Sequence, residues 1–475
     1  MAGISFRSGR LNVAGVRRGA ATGNPQSLSG VLCRLLLCAL ATGTSPVASA
    51  TEDLLSVYNL AVTEDPEFRA AQAARDAALE LVPQSRAGLL PRLDIVGDVT
   101  RDRFDPRNST TTGLFGTTET STSYATNETY SLELRQALYQ RARMMQLEQA
   151  GQDVAKAEAT YTAAEQDLIV RVAEQYFQLL AAGDNLEFVA SNKAAIAVAL
   201  EQAKNRYDVG LAAPTDLYEA QARHDIAVSE ELEADKQLTD AREALFALTG
   251  SKVLEPADLG EDIPLVMPDP ADPERWVSTA MEQSPVLSAA TAAARAARKS
   301  IQLQQSGHYP TLDLVARYQY RDNDFGGFGI PIQRNDSAVG VQLTVPIYQG
   351  GLVTSRTREA RQQYVQAREV QVSRQRETEL LTRESYRGVA VGLSRIRALQ
   401  QAILSNEKAL EASRTGYEVG TRNITDVLDA QRELLRTRRD YAQARYDYLL
   451  NTLRLKRAVG SLAVADVEAI NGMLQ

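Results

Sequence analysis

Asp426 and Asp429 stand three residues apart, a spacing that puts both carboxylates on one face of a helix. Two chemistries are open to such a pair. Acids in the first turn of a helix offset the positive end of its dipole. Acids gathered from several chains into a ring favour passing cations instead. Spacing alone favours the first. Just upstream lie Tyr417, whose phenol can donate or accept, and Arg422, a permanent cation that only donates. Taken singly, Tyr417 suits coiled-coil packing and Arg422 a solvated surface. The two histidines, His224 and His308, lie far apart in unlike settings and do not form a pair. There is no nucleophile–base constellation, metal-ligand spacing or phosphate loop, so neither enzyme chemistry nor a cofactor is expected.

The acids belong to a passage that the chain contains twice. Tyr207, Val209, Gly210, Thr215 and Asp216 recur as Tyr417, Val419, Gly420, Thr425 and Asp426, all at an offset of 210, and Ala220-Gln221 recurs as Ala430-Gln431. Upstream, Asp65-Pro66 matches Ser284-Pro285 and Pro91-Arg92-Leu93-Asp94 matches Pro310-Thr311-Leu312-Asp313, both at an offset of 219. Ala137-Leu138-Tyr139-Gln140 matches Pro346-Ile347-Tyr348-Gln349 at an offset of 209, so the length difference falls between Asp94 and Ala137. A period this long means two copies of one large unit rather than an array of small repeats. The expected division is residues 51–268 and 269–475, behind a leader at 1–50.

The elements that must carry the acids are long. From Gln140 to Val209 there is no proline, and Leu147, Val154, Tyr161 and Leu168 step by seven with Ala150, Ala157 and Ala164 alongside, the seam of a coiled coil. Val353, Ala360 and Ala367 keep the same step in the second copy. Helices are predicted at about 140–209, 215–249, 351–419 and 425–460, with shorter helical pieces at 52–62 and 67–86. Gly210 and Gly420 interrupt the long helices and mark hairpin tips. Thr215 or Asp216, and Asn423 or Thr425, are the candidate caps of the helices that follow.

Four segments alternate with period two, at about 92–101, 129–139, 311–321 and 337–348, each with one apolar and one polar face. At ~10 residues each is long enough for a tilted membrane strand. The loops they bracket, from Asp105 to Glu128 and from Asp322 to Pro331, have the bland polar composition of an outward-facing hairpin tip. Four strands cannot close a barrel, and an open sheet edge is not tolerated in lipid. If these strands lie in a membrane, several chains must share one barrel.

Residues 1–50 hold five arginines and no acid, then an apolar run from Val31 to Ala41 and the small-residue stretch Val47-Ala48-Ser49-Ala50, the pattern of a secretory signal peptide. Both cysteines, Cys33 and Cys38, fall inside it, and Leu37 before Cys38 argues against lipid attachment. Removing this leader takes the net charge from −8 to −13, a poor balance for binding nucleic acid. Past residue 50 no apolar run approaches the ~20 residues of a membrane helix.

The duplicated unit of two strands and long helices, with Tyr417-x-Val419-Gly420-Thr421-Arg422-x-Ile424-x-Asp426-Val427-Leu428-Asp429, resembles the TolC-type outer-membrane efflux and secretion channels over nearly the whole chain past residue 51. The resemblance implies a mainly α fold with a membrane β-barrel contribution: a homotrimer whose four strands per chain make a shared 12-stranded barrel in outer-membrane lipid, with helices reaching across the periplasm. It implies an exit duct for a tripartite efflux pump or type I secretion system, joined through a periplasmic adaptor to an inner-membrane transporter of RND or ABC type. By the same resemblance Asp426 and Asp429 form acidic rings at the periplasmic gate. Tyr417 and Arg422 latch that gate against Thr215 and Asp216. Pro214 departs from the family pattern and stiffens the turn beside Thr215. The competing class is a periplasmic coiled-coil adaptor or scaffold, which leaves the four alternating strands unexplained.

Overall fold

The computed structural model describes residues 52–104, 110–113, 116–119, 122–210, 213–251, 256–260, 263–325 and 332–474; the leader expected at 1–50, with Cys33 and Cys38, lies outside them. Three short helices come first: α1 (Leu54–Glu64), α2 (Pro66–Leu79) and α3 (Leu81–Ala87). Asp53 caps α1 by accepting from the Ser56 amide, and Asp65 caps α2 by accepting from Glu67 and Phe68, with Pro66 in the first helical position. The helical piece read at 67–86 is thus two helices. Pro83 has no amide hydrogen for the Leu79 carbonyl, and its ring crowds that carbonyl, so the chain breaks at Glu80.

Then come β1 (Arg92–Phe104), β2 (Thr110–Gly113), β3 (Gly116–Glu119) and β4 (Ser123–Tyr139), followed by the hairpin of α4 (Arg141–Asp208) and α5 (Pro214–Thr249). The second half repeats the plan with α6 (Pro273–Gln283), α7 (Pro285–Gln305), β5 (Thr311–Phe325), β6 (Ile332–Thr344), α8 (Leu352–Glu418), α9 (Ile424–Val459) and a closing α10 (Val464–Asn471). With 68 and 67 residues, α4 and α8 are each roughly 100 Å long.

The four long strands form one antiparallel sheet in the order β1-β4-β5-β6, while β2 and β3 pair with each other. Register puts Leu93, Leu134, Ala316 and Val339 in one row and Asp94, Glu133, Arg317 and Ala338 in the next. Successive residues face opposite sides, so the first row belongs to an apolar face and the second to a polar one. Arg317 donates to Glu133 across the polar face. On the apolar face Ile95 and Val339 are 83% and 79% exposed, a surface that water does not favour. Tyr130 and Tyr320 stack there with ring centroids 6.5 Å apart. Among the described residues the sheet has two free edges, β1 and β6. β6 ends at Thr344, short of the expected 348, because Pro346 has no amide to give the ladder.

The buried core sits halfway along the helices. Leu168, Val172, Tyr176 and Phe177 of α4 meet Leu245 of α5, Ile396 of α8, Leu453 of α9 and Val57 of α1. The Tyr176 hydroxyl donates to the Ala257 carbonyl at 2.9 Å, which satisfies a polar group in a dry place. Of the expected seam, Leu168 and Ala150 are buried, and Leu147, Val154, Tyr161, Ala157 and Ala164 are half-buried. Val353 and Ala360 are buried in α8 and Ala367 half-buried. Nearer the tips the seam thins to alanine: Ala220, Ala227 and Ala234 are buried on α5 at seven-residue steps. Small residues there let neighbouring helices approach closely.

Candidate functional site: the helix hairpin tips

Both long helices end the same way. Val209 and Val419 close α4 and α8, and Gly210 and Gly420 follow with φ of 73° and 77°, the left-handed region that favours glycine. In the second tip the Thr421 and Arg422 amides both donate to the Gly416 carbonyl, at 2.8 and 3.1 Å, folding the turn back on its helix.

The helices leaving the two tips start differently. α9 has a reciprocal cap: the Asp426 amide donates to Asn423 Oδ1 at 2.8 Å and the Asn423 amide donates to Asp426 Oδ2 at 3.2 Å. Asn423 is therefore the cap and Thr425 is not. In the first copy neither Thr215 nor Asp216 caps. Ala213 holds the cap position without a side-chain bond, and Pro214 begins α5 with its φ already set. Among the described residues the Thr215 side chain makes only a long bond, 3.5 Å, to its neighbour Asp216.

The expected latch residues do not meet within one chain. Among the described residues no hydrogen bond joins Tyr417 or Arg422 to Thr215 or Asp216. The Tyr417 ring instead lies 5.2 Å from the Arg206 guanidinium, across from α8 to the end of α4. Arg422 turns back along its own hairpin toward Ser413 Oγ at 3.5 Å, its stem against Gly416.

Asp429 has a partner that sequence reasoning missed. Arg223 of α5 donates to Asp429 Oδ1 at 3.0 Å and to Glu219, one turn back, at 3.1 Å. A second ion pair, Arg432 with Glu230 at 3.6 Å, links α9 and α5 further up. Two small apolar clusters support this end. Ile196, Ala199, Ala227 and Leu428 tie α4, α5 and α9 together, and Leu410, Val427 and Leu434 pack with Tyr417. In the sequence Arg223 shows only as an ordinary i,i+4 partner of Glu219, the residue at the offset of 210 from Asp429.

The tip thus gathers carboxylates around flexible cations on two hairpins held by little apolar surface. Such an arrangement can select ions and can come apart. Among the described residues no group of three or more His, Cys, Asp and Glu side chains could hold a metal, and no helix is long and apolar enough to cross a membrane. His224 lies beside Asp225 in α5 and His308 in a 3-10 turn before β5.

The outer membrane efflux protein family model matches residues 57–251 and 276–461. The chain is 36% identical over 444 residues to outer membrane protein TolC of Vibrio cholerae serotype O1, covering 93% of this chain and 98% of that one. It is 34% identical over 441 residues to outer membrane protein TolC of Escherichia coli K12, covering 90% and 86%. The crystal structure of the Campylobacter jejuni CmeC outer membrane channel superposes with a TM-score of 0.74 over 89% of this chain and 90% of that one; at 16% identity the likeness is one of fold. The chain belongs to the outer membrane efflux protein family.

Proposed function

We propose that this protein is the outer-membrane exit duct of an efflux or type I secretion system, a passive channel rather than an enzyme, running from the outer membrane into the periplasm. One observation carries the reading. A four-stranded sheet with an exposed apolar face and two free edges stands on helices roughly 100 Å long. Free edges cannot remain in lipid, so copies of the chain complete one another's sheet. Three copies supply a 12-stranded barrel in outer-membrane lipid. As the exit component of an efflux or secretion system, the duct works with a periplasmic adaptor and an inner-membrane transporter, of RND or ABC type.

The hairpin tips form the periplasmic gate in this reading. Asp426 and Asp429 provide its acidic rings, and Gly210 and Gly420 set the turns. Tyr417 and Arg422 latch against Thr215 and Asp216 of an adjacent hairpin; the bonds absent within one chain are made between chains. Single-channel recording of the purified mature oligomer in a planar lipid bilayer tests the proposal, wild type beside Asp426→Asn/Asp429→Asn. A small cation-preferring conductance, less selective in the double mutant, is expected. An oligomer that extracts without detergent and never conducts supports the adaptor or scaffold class instead.

A further inference from the structure

Arg223 stands where the two copies stop matching. Across the offset of 210, Asp216 corresponds to Asp426 and Glu219 to Asp429, but Arg223 corresponds to Glu433. One guanidinium therefore lies between two acids in equivalent places on the two hairpins, bonded to Asp429 at 3.0 Å and to Glu219 at 3.1 Å. Its side chain is 27% exposed, against 62% for Asp429, so the cation is set into the wall and the acid borders open space. Ala227, one turn beyond Arg223, and Leu428, next to Asp429, belong to one buried apolar cluster that holds the two helices together here. Asp426 differs. Its carboxylate accepts from the Asn423 amide, and among the described residues it makes no ion pair.

We propose that Arg223 is a specificity-determining residue that masks Asp429 while α5 and α9 lie together, and uncovers it when they separate. The inference rests on reading the tips as the gate. With the hairpins together, Asp426 is the uncompensated acid of the pair. Moving α9 away from α5 strips Asp429 of its cation, so widening the opening also makes it more acidic. Arg432 with Glu230, at 3.6 Å, joins the same helices with the charges reversed, and the same movement breaks it. Exposed pairs of this kind are individually weak, which suits a contact that a partner protein must undo. Gating and ion selectivity are then one event rather than two.

Reversal potentials in a KCl gradient across planar bilayers test this on the full mature oligomer. Arg223→Gln is expected to raise the cation-over-anion permeability ratio by about two- to fivefold, the range of one exposed charge pair. Asp429→Asn, which leaves Arg223 with Glu219 alone, is expected to lower it. Arg223→Gln/Asp429→Asn returns near the wild-type ratio. Arg223→Lys, which keeps a cation beside Asp429, also holds that ratio and serves if the neutral variants assemble poorly. A ratio unmoved by Arg223→Gln, in a channel where Asp426→Asn does lower it, overturns the mask and leaves the gate standing. A ratio unmoved by Asp426→Asn, Asp429→Asn and Arg223→Gln alike overturns the gate reading itself, and the mask with it.

Discussion

Asn423 and Asp426 hold each other's backbone: each side chain accepts the other's amide hydrogen, at 2.8 and 3.2 Å. The acid proposed to face the ion path is thus also part of the start of α9. The two roles can be separated. Asn423→Ala removes the cap and leaves the charge, at a local cost of about 1 kcal/mol. Asp426→Asn removes the charge and leaves an acceptor oxygen. Asn423→Ala is expected to speed amide exchange at the start of α9 without altering ion selectivity. If it shifts selectivity as far as Asp426→Asn does, the carboxylate acts by shaping the turn and not by its charge.

The latch can be probed one group at a time. The Tyr417 ring rests against the Arg206 guanidinium, a contact that needs the aromatic face and not the hydroxyl. Tyr417→Phe therefore keeps the packing with Leu410, Val427 and Leu434 and tests the hydroxyl alone. Combined with Arg422→Ser it is expected to raise single-channel conductance. Pairs at an exposed hairpin tip are worth about 0–1 kcal/mol each, so the oligomer's melting temperature should move little. An unchanged closed state in the double mutant rejects the latch.

Gly460, after α9, marks a different kind of turn from the tips. A Cβ there would lie 2.5 Å from the Gln283 carbonyl oxygen and 2.8 Å from Pro285 Cδ, with φ at +87°. Steric overlap and left-handed backbone strain act together, so Gly460→Ala is expected to cost more than about 2 kcal/mol. Gly210 and Gly420 face open space, so Gly210→Ala and Gly420→Ala should cost only the backbone strain, about 1–2 kcal/mol. Yield and melting temperature of the assembled oligomer rank the three. Equal losses at Gly420 and Gly460 contradict this ordering.

The sequence made the long elements readable because their physics is periodic. A seven-residue step of Leu147, Val154, Tyr161 and Leu168 leaves little but a long helix, and alternation through Leu93, Ile95 and Val99 leaves little but a strand. The ends were harder to read. Asn423 and Thr425 are both good caps by type, and the choice between them depends on which backbone amide each can reach. Thr215 and Asp216 looked like caps too, but Pro214 already sets the first turn of α5. Arg223 was not legible as a site residue, because a cation four residues after a glutamate is an ordinary exposed helix pair. Only bringing α5 against α9 shows that the same guanidinium also reaches Asp429.

The waist of the molecule carries a pH dependence of its own. The Tyr446 hydroxyl of α9 donates to Asp184 of α4 at 2.8 Å, joining the two copies. Burial pushes the Asp184 carboxyl above the usual carboxylate range. The Tyr446 bond and nearby Arg445 pull the other way, and the carboxylates of Asp258 and Glu187 add to the rise. A pKa higher in the folded than in the unfolded state means that folding takes up a proton. The associated stability is then fully present below the unfolded value, about 3.9, and is lost as pH rises through the folded one. Asp184→Asn has no proton to take up. The melting temperature of wild type minus that of Asp184→Asn should therefore fall as pH rises from the carboxylate range, then level off. Tyr446→Phe removes the donor that favours the ionised form, so it should carry that fall to higher pH and cost about 1–3 kcal/mol for the lost, partly buried bond. A difference that grows with pH would mean that the Tyr446 bond outweighs burial at this site.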